Sequence, residues 1–254
     1  MISPGSVAFT IFNIDINWYG LLIGTGFLLS FLIAYKRCSL HNINQENFLT
    51  FIICLLPSMV IGARAYYVIF TWDYYKNHTD QILNIRGGGL AIHGGIIAGI
   101  IVALIVAKHY KENPIDIMDL CFTVCPLGQA MGRWGNFFNE EAHGIETTFP
   151  IYVNIDGIHY HATFIYESVW CFLLFIFLMW FDSKKRKFRG QTSLLYVILY
   201  SFERFFVEGL RTDSLMIGNL RQAQLLSATT FVLGIVALVI LNKRYKNKEQ
   251  EQWN

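Results

Sequence analysis

The feature that most restricts the fold of this chain is a series of long apolar blocks. The sequence has 254 residues, of which 54% are hydrophobic and only 15% charged, whereas a soluble domain usually carries about 25% charged residues. A helix crosses a bilayer with about 20 mostly apolar residues. Seven blocks have this character, and we predict spans at residues 17–36, 48–70, 88–107, 116–134, 163–181, 192–209 and 223–241.

These blocks predict helices, because lipid offers the backbone no hydrogen-bond partner and the sequence lacks the alternation typical of a barrel. We therefore expect an all-α, polytopic integral membrane protein with seven transmembrane helices. It is expected to form a single membrane-embedded domain over residues 1–254. The fourth and sixth blocks are the least apolar, since they contain Asp116, Asp119, Arg133, Glu203, Arg204 and Glu208.

The basic residues predict the orientation, because cytoplasmic loops carry an excess of lysine and arginine. Basic residues follow the first, third, fifth and seventh blocks: Lys36, Arg37, Lys108, Lys111, the run from Lys184 to Arg189, Lys243, Arg244, Lys246 and Lys248. The opposite loops hold few, namely Lys76, Arg86, Arg211 and Arg221. The amino terminus should therefore lie outside and the carboxy terminus in the cytosol. No cleavable signal peptide is expected, since no basic residue precedes the first block.

Three arginines inside predicted spans indicate a site for a phosphate-bearing lipid. An ionised side chain in lipid costs roughly 2.5–3.5 kcal/mol on insertion scales, so it must face protein, water or a ligand. Arg64, Arg133 and Arg204 are such side chains, and arginine binds phosphate through two parallel hydrogen bonds. With the predicted orientation, several segments place polar groups toward the outer leaflet: Tyr19, Arg64, His93, Arg133, Asn136, Arg204 and Glu208.

A purely structural role is open for each of these residues taken alone. Arg64 could extend its guanidinium toward the membrane surface, and Glu203, Arg204 and Glu208 could form an ion-pair network. His93 could be an ordinary hydrogen-bonded core histidine. Together they favour a function, because ionisable residues inside membranes are rare and are functional by default.

Three stretches combine polar residues in patterns that suit a ligand site. RGGGLAIHGG surrounds His93 with glycines, which leave room beside an imidazole, and imidazole ionises near neutral pH and suits a proton acceptor. GQAMGRWGNFFNEEAHG ends the fourth span with amides that suit glycerol hydroxyls or ester carbonyls. In the sixth span, spacings of four, four and three put a further set on one helix face: Tyr200, Arg204, Glu208 and Arg211.

No metal, organic cofactor or nucleic acid is implied by the sequence. Neither a zinc-type ligand spacing nor a nucleotide-binding loop occurs. The run SKKRKFRG is interpreted as a topology determinant that contacts anionic lipids. The cysteines are interpreted as small apolar residues without a ligand or disulfide pattern: Cys38, Cys54, Cys121, Cys125 and Cys171.

At GRWGNFFNEEAHG the chain resembles the bacterial prolipoprotein diacylglyceryl transferases, whose signature reads GR-x-GNF-x-N-x-E-x-x-G. WYG, GAR, GGGLAIHGG, HATFIYES, RFFVEGLRTDS and RQAQLLS are similar to further blocks of that family, in the expected order. The resemblance implies a seven-span enzyme of the bacterial plasma membrane whose site faces the extracytoplasmic leaflet. It implies transfer of the diacylglyceryl group of phosphatidylglycerol to the lipobox cysteine of preprolipoproteins, the first step of lipoprotein maturation. A thioether forms and sn-glycerol-1-phosphate leaves.

The resemblance also implies the residues of the site. Its catalytic residues would be His93, Arg133, Arg204 and Tyr19. Its substrate-binding residues would be Arg133, Asn136, Glu141, Gly144, Arg204, Glu208, Tyr200 and Arg64. Asp119 and Arg211 match further positions without an assigned role. The implied partners are phosphatidylglycerol, the signal peptides of preprolipoproteins and membrane lipids.

For this reaction we expect Arg133 and Arg204 to hold the lipid phosphate, with Glu208 and Glu141 orienting them. Asn136 would bind the glycerol region. His93 is the candidate base for the substrate thiol, and Tyr19 is the alternative base or a group that positions the lipid.

Two other classes of protein fit part of the pattern. A lipid-binding transporter or channel could use buried arginines for an anion, but the matching halves with broken helices that many transporters show are not evident. Another phosphatidyl-headgroup transferase would usually need an acidic, metal-binding cluster, which the spans lack.

Overall fold

The computed structural model describes residues 1–85, 88–218 and 220–253, with side chains as far as residue 247. Arg86 and Gly87, which belong to a predicted outer loop and to the glycine-rich motif, lie outside the described residues, as does the side chain of Lys248.

Long helices make up most of the described chain. Seven of them have between 19 and 32 residues: α1 Trp18–Arg37, α2 Gln45–Phe70, α4 Ile92–Tyr110, α5 Pro114–Phe138, α6 Thr163–Lys184, α7 Gln191–Leu210 and α8 Gln222–Trp253. A one-turn helix, α3 Trp72–Tyr75, and two 3-10 turns, Cys38–His41 and Thr79–Gln81, lie between them.

Five of the described helices are long and apolar enough to cross a membrane, at Trp18–His41, Gln45–Phe70, Ile92–Tyr110, Thr163–Lys184 and Gln222–Asn247. This confirms the prediction of a mostly helical chain with several membrane-spanning segments. Helices α5 and α7 coincide with the two blocks that charged residues interrupt, and they have the length of a span without its apolar composition.

The third predicted block starts four residues before the helix that it contains. Helix α4 begins at Ile92, whereas the apolar block begins at residue 88. Gly88 and Gly89 have φ values of 87° and 73°, a left-handed conformation that a right-handed helix does not contain. The glycines therefore form a turn before the helix.

In the described part of the chain, three two-stranded antiparallel hairpins that no sequence pattern predicts lie outside the helices. They are β1 Val7–Ile11 with β2 Ile14–Asn17, β3 Tyr152–Ile155 with β4 Ile158–His161, and β5 Met216–Ile217 with β6 Leu220–Arg221. In the first two, the two turn residues have positive φ: Phe12 and Asn13, and Asp156 and Gly157. Such turns match the twist of the strands that they connect.

The chain forms two compact units, one of Met1–Ala34 with Met118–Asn254 and one of Tyr35–Ile117. We call them the larger and the smaller unit. The assignment of a single domain stays a prediction.

In the smaller unit, α2 and α4 pack closely through glycine. A Cβ added to Gly62 would lie 2.6 Å from the carbonyl oxygen of Gly94 and 2.5 Å from the Cβ of Ala98. The two backbones are therefore too close for a side chain between them, as in helix pairs with small residues at the interface. The backbone N–H of Ala91 donates to the carbonyl of Ala63 at 3.0 Å, which joins the start of α4 to α2.

In the larger unit, polar side chains join the helices around a buried apolar cluster of Leu174, Leu178 and Tyr196. Ser168 on α6 donates to the carbonyl of Ala130 on α5 at 2.8 Å. Hydrogen bonds of this kind connect helices where apolar burial gives little preference for protein over lipid.

Asp119 of α5 holds the start of α7. Its carboxylate is fully buried and accepts hydrogen bonds from the backbone N–H groups of Gly190 and Ser193, at 2.7 and 2.8 Å, and from the Ser193 hydroxyl at 2.6 Å. The Arg186 guanidinium lies 3.6 Å away. An anion at a helix amino terminus satisfies the unpaired N–H groups and the helix dipole. The contacts of Asp119 are therefore those of a structural residue.

Replacing Asp119 with alanine is expected to destabilise the fold by about 2–4 kcal/mol, because buried N–H donors lose their acceptor and Arg186 loses a partner. Thermal unfolding in detergent measures the effect. Asp73→Ala is the matched control, since the Asp73 side chain is 98% exposed and forms a surface ion pair with Lys76, and it should change the melting temperature little. Equal melting temperatures for the two variants would contradict this role.

Candidate active site

A buried carboxylate connects two arginines from different helices. Glu167 of α6 is 1% exposed, and its Oε1 lies 2.6 Å from Nη1 of Arg204 on α7 and 3.1 Å from Nη2 of Arg133 on α5. A single oxygen therefore holds two guanidinium groups in one place. We call Arg133, Glu167 and Arg204 the arginine cluster.

Two further residues of α7 complete the contacts of the cluster. Oε2 of Glu208 lies 2.5 Å from Nη2 of Arg204, and the Tyr200 hydroxyl accepts a hydrogen bond from Nη2 of Arg133 at 3.3 Å. Tyr200, Arg204 and Glu208 were predicted to share a helix face, and all three contribute to one set of contacts. The expectation that Glu208 orients an arginine agrees with this geometry.

Both arginines keep donors for a ligand. Nε and Nη1 of Arg133 and Nε of Arg204 make no hydrogen bond with any residue that the structure describes. The side chains of Arg133 and Arg204 are 20% and 18% exposed, whereas that of Glu167 is 2% exposed. The cluster therefore consists of a buried anion, Glu167, that contacts two partly accessible cations, Arg133 and Arg204. This arrangement suits binding of a second anion.

Glu167 is the residue of this cluster that was not predicted from the sequence. Its partners are 34 and 37 residues away in sequence, so no local spacing points to the contact. The signal that was present is its place in HATFIYES, one of the blocks that resemble the family.

Glu203 lies beside the cluster without a hydrogen bond. It is 6% exposed, and neither carboxyl oxygen has a hydrogen-bond partner among the described residues. The charges of Glu167, Arg133 and Arg204 act on it. The ion-pair network considered for Glu203, Arg204 and Glu208 thus forms between Arg204 and Glu208, and Glu203 takes no part in it.

Tyr19 packs on the backbone of the GRWGN segment. A Cβ added to Gly135 would lie 3.0 Å from Cε2 of Tyr19. Glycine at this position of α5 therefore allows the Tyr19 ring, which comes from α1, to approach closely. The neighbouring Trp18 stacks on Phe138 with ring centroids 5.0 Å apart. Tyr19 is 37% exposed. The structure thus places Tyr19 against Gly135, two residues along α5 from Arg133.

The end of α5 is a turn in which amides surround Glu141. Its Oε1 accepts hydrogen bonds from the side-chain amides of Asn136 and Asn139 at 3.0 and 3.2 Å. Glu140 and Ala142, on either side, have φ values of 54° and 58°, an uncommon conformation for residues with a Cβ. Glu141 makes no ion pair with an arginine in the described part of the chain, so these contacts do not support the hypothesis that it orients one, which stays a prediction. Glu167 contacts both arginines, and Glu141 contacts Asn136.

Gly144 is placed by backbone contacts. Its N–H donates to the carbonyl of His161 at 2.9 Å, and a Cβ would lie 2.7 Å from the Cβ of His161 and 3.1 Å from the carbonyl oxygen of Leu210. The Thr163 hydroxyl donates to the carbonyl of Ala142 at 2.5 Å. The chain after α5 therefore passes tightly between the start of α6 and the end of α7, where only glycine fits.

Arg211, after the end of α7, pairs with a neighbouring acid. Its Nε and Nη2 donate to the two carboxylate oxygens of Asp213 at 2.9 and 2.7 Å. These hydrogen bonds hold the pKa of Asp213 below its ordinary value. Arg221 reaches back to the carbonyl of Glu208. Arg211 and Asp213 thus form an ion pair just after the end of α7.

The smaller unit carries Arg64 and His93. Arg64 is 7% exposed and donates four hydrogen bonds to backbone carbonyls, those of Gln81, Ile82, Gly88 and Gly89. His93 is the second residue of α4, is exposed, and lies 6.0 Å from the ring of Tyr66. No group of three or more potential metal ligands occurs among the residues described.

The fold and the cluster define a class of protein: a helical membrane protein in which two partly accessible arginines are fixed by buried glutamates. A family model described as prolipoprotein diacylglyceryl transferase matches residues 6–240, and the chain belongs to this family.

Curated relatives cover nearly the whole chain. The phosphatidylglycerol–prolipoprotein diacylglyceryl transferase of Clostridioides difficile is 48% identical over 246 residues, which is 97% of this chain and 99% of that protein. The proteins of the same name from Finegoldia magna and Clostridium novyi are 47% and 44% identical over 242 and 252 residues. They cover 95% of this chain each, and 96% and 97% of their own lengths are matched.

Proposed function

We propose that this chain transfers the diacylglyceryl group of phosphatidylglycerol to the lipobox cysteine thiol of preprolipoproteins. The product is a thioether, and sn-glycerol-1-phosphate leaves. This is the first step of lipoprotein maturation. The observation that carries the proposal is the arginine cluster, in which two guanidinium groups share the Glu167 carboxylate and keep free donors. Membership of the family and the names of the relatives support it.

The proposed topology has seven spans in the bacterial plasma membrane, with the amino terminus outside and the carboxy terminus in the cytosol. Helices α5 and α7 are the two spans that depart from an apolar composition. Arg133, Arg204 and Glu208 pair within the protein, and such pairing is what permits ionisable residues at membrane depth. The arginine cluster then faces the extracytoplasmic leaflet.

The chemistry requires a charged leaving group to depart from a glycerol carbon. The thiol S–H bond breaks and its proton passes to a base, while the sulfur forms a bond to that carbon. The C–O bond to phosphate breaks, its electron pair stays on the oxygen, and the phosphate gains a negative charge. We assign Arg133 and Arg204 to hold the phosphate and stabilise this charge, since donors aimed at developing charge lower the barrier.

The other assignments follow the contacts of each residue. Glu208 and Tyr200 orient Arg204 and Arg133. Asn136, held by Glu141, binds the glycerol region, and Gly144 shapes the loop beside it. Tyr19 positions the lipid or serves as the alternative base. Neither the enzyme's cysteines nor a cofactor takes part, because the nucleophile belongs to the peptide substrate, whose signal peptide the enzyme recognises in the membrane.

One experiment tests the proposal against its rivals. The purified protein is reconstituted in vesicles that contain phosphatidylglycerol labelled in the acyl chains, and a lipobox peptide is added. Diacylglyceryl bound to the peptide cysteine through a thioether is the expected product. Headgroup exchange without peptide modification would indicate another transferase, and lipid or anion transport alone would indicate a transporter.

His93→Gln is expected to lower kcat by about 10²–10⁴-fold, the usual contribution of a general base. Initial rates of peptide modification are measured for both proteins across a range of pH. His109→Gln is the matched control, because His109 is exposed near the other end of the same helix. An unchanged rate and pH profile for His93→Gln would make Tyr19 the better candidate.

A further inference from the structure

Arg64 uses nearly all its donors on the backbone. Its Nη2, Nε and Nη1 donate to the carbonyls of Gln81 at 2.7 Å, Ile82 at 2.8 Å, and Gly88 and Gly89 at 2.9 Å each. Its guanidinium also lies 5.2 Å from the ring centre of Tyr75. Four carbonyls from the segment between α3 and α4 therefore surround one cation.

This set of contacts leaves Arg64 poorly suited to hold a phosphate. A guanidinium has five N–H donors, and Arg64 already makes four hydrogen bonds to backbone carbonyls. Two-pronged recognition of phosphate needs two parallel N–H groups, which Arg64 could supply only by releasing a carbonyl. Arg133, by contrast, keeps its Nε and Nη1 free of hydrogen bonds with the described residues. The two arginines thus serve different purposes.

The contacts of Arg64 continue toward His93 through its neighbours on α2. Ala63 accepts the N–H of Ala91 at 3.0 Å, and Gly62 packs against the backbone of Gly94. Three consecutive residues of α2 therefore hold the chain from the Gly88–Gly89 turn to the first turn of α4. His93 lies inside this fixed segment.

We propose that Arg64 is a positioning residue: it fixes the glycine turn that starts α4, and through it the place of His93. The assignment rests on the proposed function for His93 as the base, and it replaces direct lipid binding by Arg64. A cavity of about 150 Å³ adjoins the guanidinium, so a lipid phosphate bound there is the alternative that the experiment must separate.

The variants Arg64→Lys and Arg64→Gln separate these roles. Lysine keeps the charge but cannot reach four carbonyls in different directions. A positioning role predicts that both variants lower kcat by about 10–100-fold, as expected for a misplaced catalytic group, with the KM for phosphatidylglycerol within about twofold of wild type. A phosphate-binding role predicts that Arg64→Gln raises the KM for phosphatidylglycerol, whereas Arg64→Lys leaves it close to wild type. That result would overturn the proposal.

Hydrogen exchange gives a readout that does not depend on activity. The backbone amides of Ala91, Gly94 and Gly95, which donate to the carbonyls of Ala63 and Ala91, should exchange at least about tenfold faster in both variants, because the turn loses its anchor. Unchanged exchange at these amides would contradict the proposal even if kcat fell. If the wild-type protein transfers no diacylglyceryl group, the proposed function fails, while the exchange rates still decide whether Arg64 fixes the turn.

Two glycines provide a matched pair of variants that leave Arg64 in place. Gly88 and Gly89 both have a positive φ, so alanine costs similar backbone strain at each. A Cβ at Gly88 meets nothing within 4 Å, whereas one at Gly89 would meet the Arg64 guanidinium and the Tyr67 ring. Gly89→Ala should therefore reproduce the loss of kcat and the faster exchange, and Gly88→Ala should show clearly smaller changes. Equal effects would contradict the role of the Arg64 contact.

Discussion

Replacing Arg133 or Arg204 with glutamine is expected to lower the rate of thioether formation by about 10²–10³-fold. In the proposed mechanism each arginine supplies donors and a positive charge where the leaving phosphate gains its negative charge, and removal of one such group has this cost in other enzymes. Lysine at either position keeps the charge but loses the planar pair of donors, so an intermediate loss is expected. The measurement is the initial rate of peptide modification with purified protein in phosphatidylglycerol vesicles.

The control for this prediction is Arg244→Gln, since Arg244 is an exposed arginine near the end of α8. It should modify the peptide at the wild-type rate. Gel filtration and thermal unfolding establish that the slow variants are folded. Near-normal turnover by a folded Arg133→Gln or Arg204→Gln protein would remove that arginine from the mechanism.

The long helices could be predicted from the sequence, because membrane spans follow from length and composition alone. Each of the seven blocks coincides with a helix of at least 19 residues. The predicted start of the third helix was wrong, because Gly88 and Gly89 adopt a left-handed backbone conformation. Hydropathy carries no information about backbone dihedral angles. The hairpins were not predicted, because strands of two to five residues are too short to show a clear alternation of apolar and polar residues.

The contacts of the candidate site could be predicted from the sequence where its residues lie on one helix, and not where they come from several helices. Spacing alone placed Tyr200, Arg204 and Glu208 on one face of α7. Glu167 contacts Arg133 and Arg204 because α5, α6 and α7 pack together. The spacing of residues within one helix cannot predict a contact of this kind. For Arg64 the sequence predicted a lipid-binding arginine, whereas in the structure its guanidinium donates to backbone carbonyls.

Glu167→Gln is expected to have a double effect, because Glu167 is the anion that two arginines share. Removing its charge leaves the guanidinium groups of Arg133 and Arg204 close together and partly buried, which should lower the free energy of unfolding by about 3–5 kcal/mol. The same change frees the donors that Glu167 occupies, so phosphatidylglycerol should bind with a lower KM. The arginines lose their common anchor, and kcat should fall by about 100-fold, as for other misplaced catalytic groups.

Lower kcat together with lower KM separates Glu167 from a residue that merely binds substrate, which would raise KM. Glu208→Gln is the informative comparison, since the Glu208 carboxylate pairs with Arg204 and with no second arginine among the described residues, and it should reduce kcat less and leave the KM nearer to wild type. Glu140→Gln, at an exposed position, should change neither constant. A Glu167→Gln protein with normal kcat would mean that the arginines keep their places without the shared carboxylate, and the cluster would then not be the part of the fold that organises the site.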